Sequence, residues 1–201
     1  NHRNTMLRPL FQDKNFRIGL SHAFDRDAII DQFMPQAIPH QAAPRPESPL
    51  FHAVLARQYI TYDPDLALEY FARAGLVNRD KQGFLLTSEG QRVTFNIDTV
   101  GSTRYDILQA VVAYWRDLGI DAKARDMPRD DFYQLRKNNN FDATAWGGDG
   151  GLDAMLFPVN YLPISKDSWF APAWAAWYGH HDGKDAALPP PIVQKQMSLY
   201  D

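Results

Sequence analysis

Between Val93 and Trp146 the sequence switches repeatedly between two hydrophobic periods, and this limits the possible folds more than any other feature. Val93-Thr94-Phe95-Asn96-Ile97-Asp98 alternates apolar and polar residues, the pattern of a half-buried strand. After Gly101-Ser102-Thr103, the residues Ile107, Val111, Trp115 and Leu118 recur at helical spacing, widened by Leu108 and Val112, until Gly119. Ile120 to Arg125 alternates again. Asp130 to Asn139 reads as a short helix with Phe132, Leu135 and Arg136 spaced for packing. Phe141 to Trp146 reads as a last strand that runs into Gly147-Gly148-Asp149-Gly150-Gly151. Strand, helix, strand, helix, strand is the order of an α/β sheet with crossover helices.

The flanking segments carry their own punctuation. Phe16 to Met34 holds two helical segments. Asp25 caps the second, and Pro35 ends it. Residues 39–49 contain Pro39, Pro44, Pro46 and Pro49, which forbids regular helix and predicts an extended crossing segment or ordered loop. Asp63-Pro64 starts a helix with Asp as cap and Pro at the first helical position, and Gly75 ends it. Arg79 to Gly90 is polar and glycine-punctuated, as in a hairpin. Trp169, Phe170, Trp174, Trp177 and Tyr178 fall on an aromatic helix, and Pro189-Pro190-Pro191 is a stiff linker before the last one.

The composition removes whole classes of function. With 201 residues, 45% of them hydrophobic, the chain can build a sizeable core. Lys and Arg number 21 against 24 Asp and Glu, a formal net charge of −3, so no basic excess is available to neutralise phosphates. Cysteine is absent, which excludes disulfides, thiol catalysis, thiolate zinc sites and iron–sulfur clusters. No apolar run approaches the roughly 20 residues of a membrane-spanning helix. The chain opens on Asn1 without an initiator Met and reads as a piece of a longer protein, so a missing signal peptide says nothing about compartment.

The glycine-framed Asp149 is the most informative local feature. Ligands of open α/β sheets bind in the crevice beyond the strands' carboxyl ends, and the Gly147–Gly151 run directly follows a strand. A tight turn with a solvated Asp is the other reading of the same residues. The run is not a dinucleotide fingerprint, because the third glycine position is Asp153, and not an EF-hand, because Gly151 occupies a ligand position. Asp142, Asp149 and Asp153 do not specify a glycosidase pair. His180-His181-Asp182 lacks a distant third metal ligand, and flanking Gly179 and Gly183 mark an exposed loop. No nucleophile elbow, phosphate-binding loop or zinc-protease motif is present.

Residues 14–30, Lys-Asn-Phe-Arg-Ile-Gly-Leu-Ser-His-Ala-Phe-Asp-Arg-Asp-Ala-Ile-Ile, resemble the "vRqAlsyAiDRdaIi" signature of the bacterial extracellular solute-binding proteins of family 5, which serve ABC importers of peptides, nickel and opines. Tyr62-Asp63-Pro64-Asp65 through Ala74-Gly75-Leu76 resembles the family's "yDpekAkkLLaeAGl" helix. Ala110 to Val112, Trp115 and Leu118-Gly119-Ile120-Asp121 resemble "ai...lkkiGIdv". Phe141-Asp142-Ala143 to Trp146-Gly147-Gly148-Asp149 resembles "fDmal.gwgaD". The blocks keep the family's order over roughly residues 5–160. Gly19 departs from the signature's Ala, a difference in packing.

The resemblance implies a periplasmic binding protein type II-like lobe, with a β-α-β-α-β core and flanking helices. Residues 1–201 would form a single C-terminal ligand-binding lobe. Within it lie the crossing segment 39–49, the core 93–146 and the aromatic and terminal helices 169–201. The implied function is capture of a peptide or peptide-like solute between two lobes, for delivery to ABC permease subunits of the inner membrane. The implied place is the periplasm, with a signal peptide in the missing N-terminal part. In peptide-binding members the Asp at the position of Asp149 pairs with the ligand's α-ammonium. Trp146, Gly147, Gly148 and Gly150 are the accompanying expected ligand contacts. No cofactor, metal, nucleic acid or catalytic residue is implied. Gly150-Gly151-Leu152-Asp153 departs from the peptide binders' usual continuation, and Trp146, Trp169 and Trp174 suit a sugar or other small solute by stacking. An oligosaccharide-binding relative and a regulatory sensor built on the same lobe are therefore the alternatives.

Overall fold

The computed structural model describes residues 4–41, 44–147, 156–165, 167–168, 170–180, 183 and 185–200. In chain order the elements are α1 (Leu7–Gln12), α2 (Lys14–His22), α3 (Arg26–Phe33), α4 (Ala53–Ala56), α5 (Pro64–Arg73), β1 (Asn78–Arg79), β2 (Leu85–Leu86), β3 (Thr94–Thr99), α6 (Ser102–Asp117), β4 (Asp121–Asp126), α7 (Arg129–Lys137), β5 (Ala143–Thr144), a 3-10 turn (Pro158–Asn160), α8 (Pro172–Gly179) and α9 (Pro191–Ser198). They fall into two compact units, residues 1–42 with 54–146 and residues 43–53 with 147–201.

In the first unit, short-range chemistry sets the helix ends. The Asp25 carboxylate accepts from the Ala28 amide at 3.0 Å. Asp63 accepts from the Leu66 amide at 2.9 Å, with Pro64 in the first turn. Each satisfies an amide that the helix leaves without a partner. Gly75 (φ +84°) and Gly119 (φ +96°) carry α5 and α6 out through left-handed backbone that glycine adopts without strain.

The main sheet is parallel, in the order β4-β3-β5. β3 pairs with β4 from Thr94↔Asp121 to Thr99↔Asp126, and with β5 through Ile97↔Ala143 and Asp98↔Thr144. α6 crosses from β3 to β4, and α7 leads from β4 to β5, as the alternation predicts. β5 is shorter than its sequence pattern because Asp142 enters the ladder through its side chain. The carboxylate accepts from the Asn96 amide at 3.0 Å and the Asn96 side chain at 3.3 Å, where a backbone carbonyl would otherwise serve. β1 and β2 form the expected small antiparallel hairpin.

The core joins α1, α2 and α5 to one face of the sheet. Phe16, Ala67, Phe71, Val93, Ile120 and Ala122 are fully buried. Burial of a Phe or Leu side chain contributes about 1.5–3 kcal/mol. Aromatic contacts run through it, Phe71 to Phe16 (5.9 Å), Phe16 to Phe11 (6.1 Å), Phe11 to Phe95 (5.3 Å) and Phe95 to Trp115 (6.0 Å). The Trp115 indole donates to the Leu20 carbonyl at 2.9 Å and so ties α6 to α2. Helices α2 and α5 approach so closely at Gly19 that a Cβ there would lie 2.6 Å from the Phe71 ring. His22 is a satisfied core residue, 2.7 Å from the Thr61 carbonyl and stacked on Tyr70 at 5.9 Å.

The second unit contains the 3-10 turn, α8 and α9. The Ala187 amide donates to the Ala173 carbonyl at 2.9 Å, folding the segment after α8 back onto that helix. Gln194 donates to the Pro189 carbonyl at 2.7 Å at the start of α9. The Pro-rich segment is irregular over its described residues, and Arg45 and Glu47 form an exposed ion pair at 3.3 Å.

Candidate functional site

The carboxyl edge of the parallel sheet gathers the chemistry. The Thr99 hydroxyl, fully buried, donates to the Ala145 carbonyl at 3.0 Å. The Ala145 amide donates to the Asp98 carbonyl at 2.9 Å, and the Met127 amide to the Thr99 carbonyl at 3.1 Å. Asp126 accepts from the Gly101 amide at 2.9 Å, and Gly101 (φ +97°) supplies the left-handed turn that starts α6. These bonds leave the edge little freedom and fix the direction in which the chain leaves β5.

Beneath that edge Asp98 and Arg125 form a bidentate pair, with Nε to Oδ1 at 2.7 Å and Nη2 to Oδ2 at 3.0 Å. Asp98 is completely buried, whereas the Arg125 side chain is 47% exposed. The hydrogen bond to Asp98 raises the Arg125 pKa above its ordinary value against the cost of desolvation, and the charges of Asp98 and Asp142 add to the rise. The two residues are register partners on β3 and β4, so this pair serves the sheet. Sequence alternation placed Asp98 on the polar face. The signal that it is buried is an Arg directly opposite on the neighbouring strand.

Trp146 follows β5 and is half-buried. Its indole stacks on Phe132 with centroids 5.1 Å apart and planes at 21°, and lies 5.7 Å from Tyr133. The Arg104 guanidinium is 4.9 Å from its ring centroid and that of Arg129 is 5.6 Å away. Helices α6 and α7 thus hold the side chain in place from their first turns. Of the other expected contacts, Gly147 is exposed, while Gly148, Asp149 and Gly150 lie outside the described residues. Trp169, His181, Asp182 and Asp153 also lie outside them. Trp174 belongs to α8 in the second unit. The sequence reading missed Arg104, Arg129 and Tyr133.

Elsewhere in the first unit, a shallow depression of about 260 Å³ is lined by Lys14, Arg17, Ile18, Gln41, Leu55, Gln58 and Tyr59. It shares no residue with the sheet edge. Among the described residues, no group of three or more His, Asp or Glu could hold a metal ion, and no helix is long and apolar enough to cross a membrane.

Comparison with known proteins places this architecture. The chain matches the model of the bacterial extracellular solute-binding proteins, family 5 Middle, over residues 1–168. No curated protein sequence matches it. Among solved structures, the oligopeptide-binding protein OppA superposes with a TM-score of 0.86 at 26% identity, over 98% of this chain and 34% of that one. The periplasmic binding protein MelB of Agrobacterium fabrum, in complex with stachyose, gives 0.77 at 17% identity, over 100% of this chain and 30% of that one. The mannohexaose-bound periplasmic oligopeptide-binding protein of Thermotoga maritima gives 0.69 at 14% identity, over 98% and 36%. The chain therefore spans about a third of the length of these structures. The family match over most of the sequence, with a parallel α/β sheet and flanking helices of the same fold, makes this chain a member of the bacterial extracellular solute-binding proteins of family 5.

Proposed function

We propose that this chain is part of the C-terminal lobe of a periplasmic solute-binding protein, one that captures a peptide or peptide-like solute and hands it to the permease subunits of an ABC importer. The observation that carries the reading is Trp146, a half-buried indole just beyond β5 at the carboxyl edge of the sheet, where α/β folds hold ligands. Asp149 follows it by three residues in the sequence and is the proposed partner of a solute ammonium, a charge-assisted hydrogen bond. Closure of a second lobe over this edge would favour the bound state by the extra contacts made on closing. Binding of this kind involves no bond-making step.

An oligosaccharide is the second reading, favoured by the flat, partly open indole, which suits a sugar ring by stacking. Thermal-shift and calorimetric screening of the full-length protein against short peptides and neutral oligosaccharides separates the two. Trp146→Ala is expected to weaken the responding class at least tenfold, about 1.4 kcal/mol, which is within what truncation of a hot-spot aromatic removes. Asp149→Asn is expected to weaken cationic solutes alone. Unchanged affinity in both variants would overturn the placement of the site.

A further inference from the structure

The shallow depression on the first unit is built from parts that solute capture at the sheet edge leaves unused. One wall is α2, where Lys14 and Arg17 stand three residues apart and Ile18 is buried. The other is α4 and the turn after it, through Leu55, Gln58 and Tyr59. Gln41 completes the lining, and its backbone amide donates to the Ala56 carbonyl at 2.9 Å. Tyr59 has left-handed backbone (φ +56°), which a residue with a Cβ keeps only where its surroundings over-determine it. Here three consecutive carbonyls are held by side chains of residues 21–26. The Ser21 hydroxyl donates to the Tyr59 carbonyl at 2.7 Å, and Arg26 Nη1 donates to that of Ile60 at 3.3 Å. His22 Nδ1 lies 2.7 Å from the Thr61 carbonyl. This wall is therefore fixed in the protein alone.

Among the described residues that line the depression, none is an acid. Neither Lys14 nor Arg17 belongs to an ion pair among the described residues. Arg17 gives Nη1 to the Phe11 carbonyl at 2.6 Å, which leaves Nε and Nη2 with donors to offer. Asp13, next to Lys14 in the chain, is committed to the Asn15 and Phe16 amides at 2.6 and 3.1 Å. An ammonium, a guanidinium and the side-chain amides of Gln41 and Gln58 together bring far more donors than acceptors. The chain as a whole is acidic, at −3, so this is a local reversal of sign that draws an oxyanion. Beside these donors the lining is apolar, at Ile18 and Leu55. Its volume of about 260 Å³ is below the roughly 300–1,000 Å³ of pockets for drug-sized ligands, so its occupant is smaller than those.

We propose that the depression between α2 and α4 is a second binding site of this lobe, separate from the sheet edge, for a small organic anion. Lys14 and Arg17 hold its oxyanion, a carboxylate or a phosphate, and Ile18 and Leu55 receive its apolar body. The proposal goes beyond solute capture and does not depend on it, because the two places share no residue.

The test is methyl NMR on the full-length protein, with the assigned signals of Ile18 and Leu55 as the local readout. Four probes are titrated: benzoate, phenyl phosphate, neutral benzyl alcohol and inorganic phosphate. Benzoate, phenyl phosphate or both are expected to shift the two signals saturably, and at least tenfold more tightly than benzyl alcohol or inorganic phosphate. A response to one organic anion alone upholds the site and names its oxyanion. Lys14→Gln and Arg17→Gln are each expected to weaken that anion at least fivefold. Both residues are exposed, so neither substitution disturbs the core. Leu55→Ser is expected to weaken the organic anion while leaving inorganic phosphate within twofold. Benzyl alcohol binding as tightly as the organic anions, or affinity unchanged in both K14Q and R17Q, would overturn the proposal. So would shifts of Ile18 and Leu55 that fail to saturate at millimolar concentration. None of these results bears on capture at the sheet edge, which is read by the Trp146 and Asp149 variants.

Discussion

Gly19→Ala gives a sharp test of how α2 and α5 are packed. On a free helix the substitution is favourable, by about 1 kcal/mol. Here the added Cβ would stand 2.6 and 2.7 Å from two ring carbons of Phe71 and 3.1 Å from the Ala67 carbonyl. Carbon contacts are comfortable at about 3.5–4.0 Å, so ring or helix must move by roughly 1 Å. The ring has nowhere to go, because Phe71 is fully buried and packed on Phe16 at 5.9 Å. Overpacking of this kind costs about 1–3 kcal/mol. A ring and a backbone carbonyl are met at once, so the upper part of that range applies, and the net loss is about 1–2 kcal/mol after the propensity gain. In a chain of this size that lowers Tm by about 2–8 °C. The family signature has Ala where this chain has Gly19, and Leu where it has Phe71. The two differences read as one exchange of volume across the helix contact. The assay is a double-mutant cycle by thermal and urea unfolding. Gly19→Ala should destabilise in the wild-type background and be neutral or stabilising beside Phe71→Leu, a coupling above about 1 kcal/mol. A rise in Tm for Gly19→Ala alone, or strict additivity in the cycle, would refute the packing argument.

Two further outcomes follow from the ion pairs. Arg125→Ala strands the wholly buried Asp98 carboxylate. Loss of one partner of a buried pair costs about 3–5 kcal/mol, and the half-open position of Arg125 sets the lower end, about 3 kcal/mol. A loss under about 1 kcal/mol in urea unfolding would show the pair to be dispensable. Asp80 provides the acid dependence. Burial pushes its pKa up, but the Gln82 and Phe84 amides and Arg92 outweigh this and hold it below the ordinary 3.8. A carboxyl depressed in the folded state stabilises above its unfolded pKa, and that contribution is lost as pH falls through the folded value. The Tm difference between wild type and Asp80→Asn should therefore be full near neutral pH and shrink below about pH 4. A difference that held constant or grew on acidification would contradict the assignment.

What could be read from the sequence was local. Asp25 and Asp63 cap helices because the cap bond spans three residues, and Gly75 and Gly119 end helices because their backbone is left-handed. The length of β5 was not legible, since nothing in Phe141-Asp142-Ala143 announces that Asp142 bonds to Asn96 from the far side of two helices. Asp98 was not legible for the same reason, because its burial depends on Arg125 lying opposite in a register that only the folded sheet defines.

Trp146 stands between these cases. Its place after a strand and before a glycine run marked it as a sheet-edge residue, yet its neighbours Arg104 and Arg129 carry no motif. Topology supplies what motif reading lacks. In a parallel sheet every crossover helix departs from the carboxyl edge, so α6 must begin where β3 ends and α7 where β4 ends. β5 is hydrogen-bonded to β3, the central strand, and leaves the sheet at that same edge. Residues in the first turns of both helices are therefore gathered around whatever follows β5. Arg104 and Arg129 reach the indole through strand order alone. The rule extends to any parallel sheet of this strand order: the side chains that surround a residue just past the last strand are to be sought in the opening turns of the two preceding helices, however far away they lie in sequence.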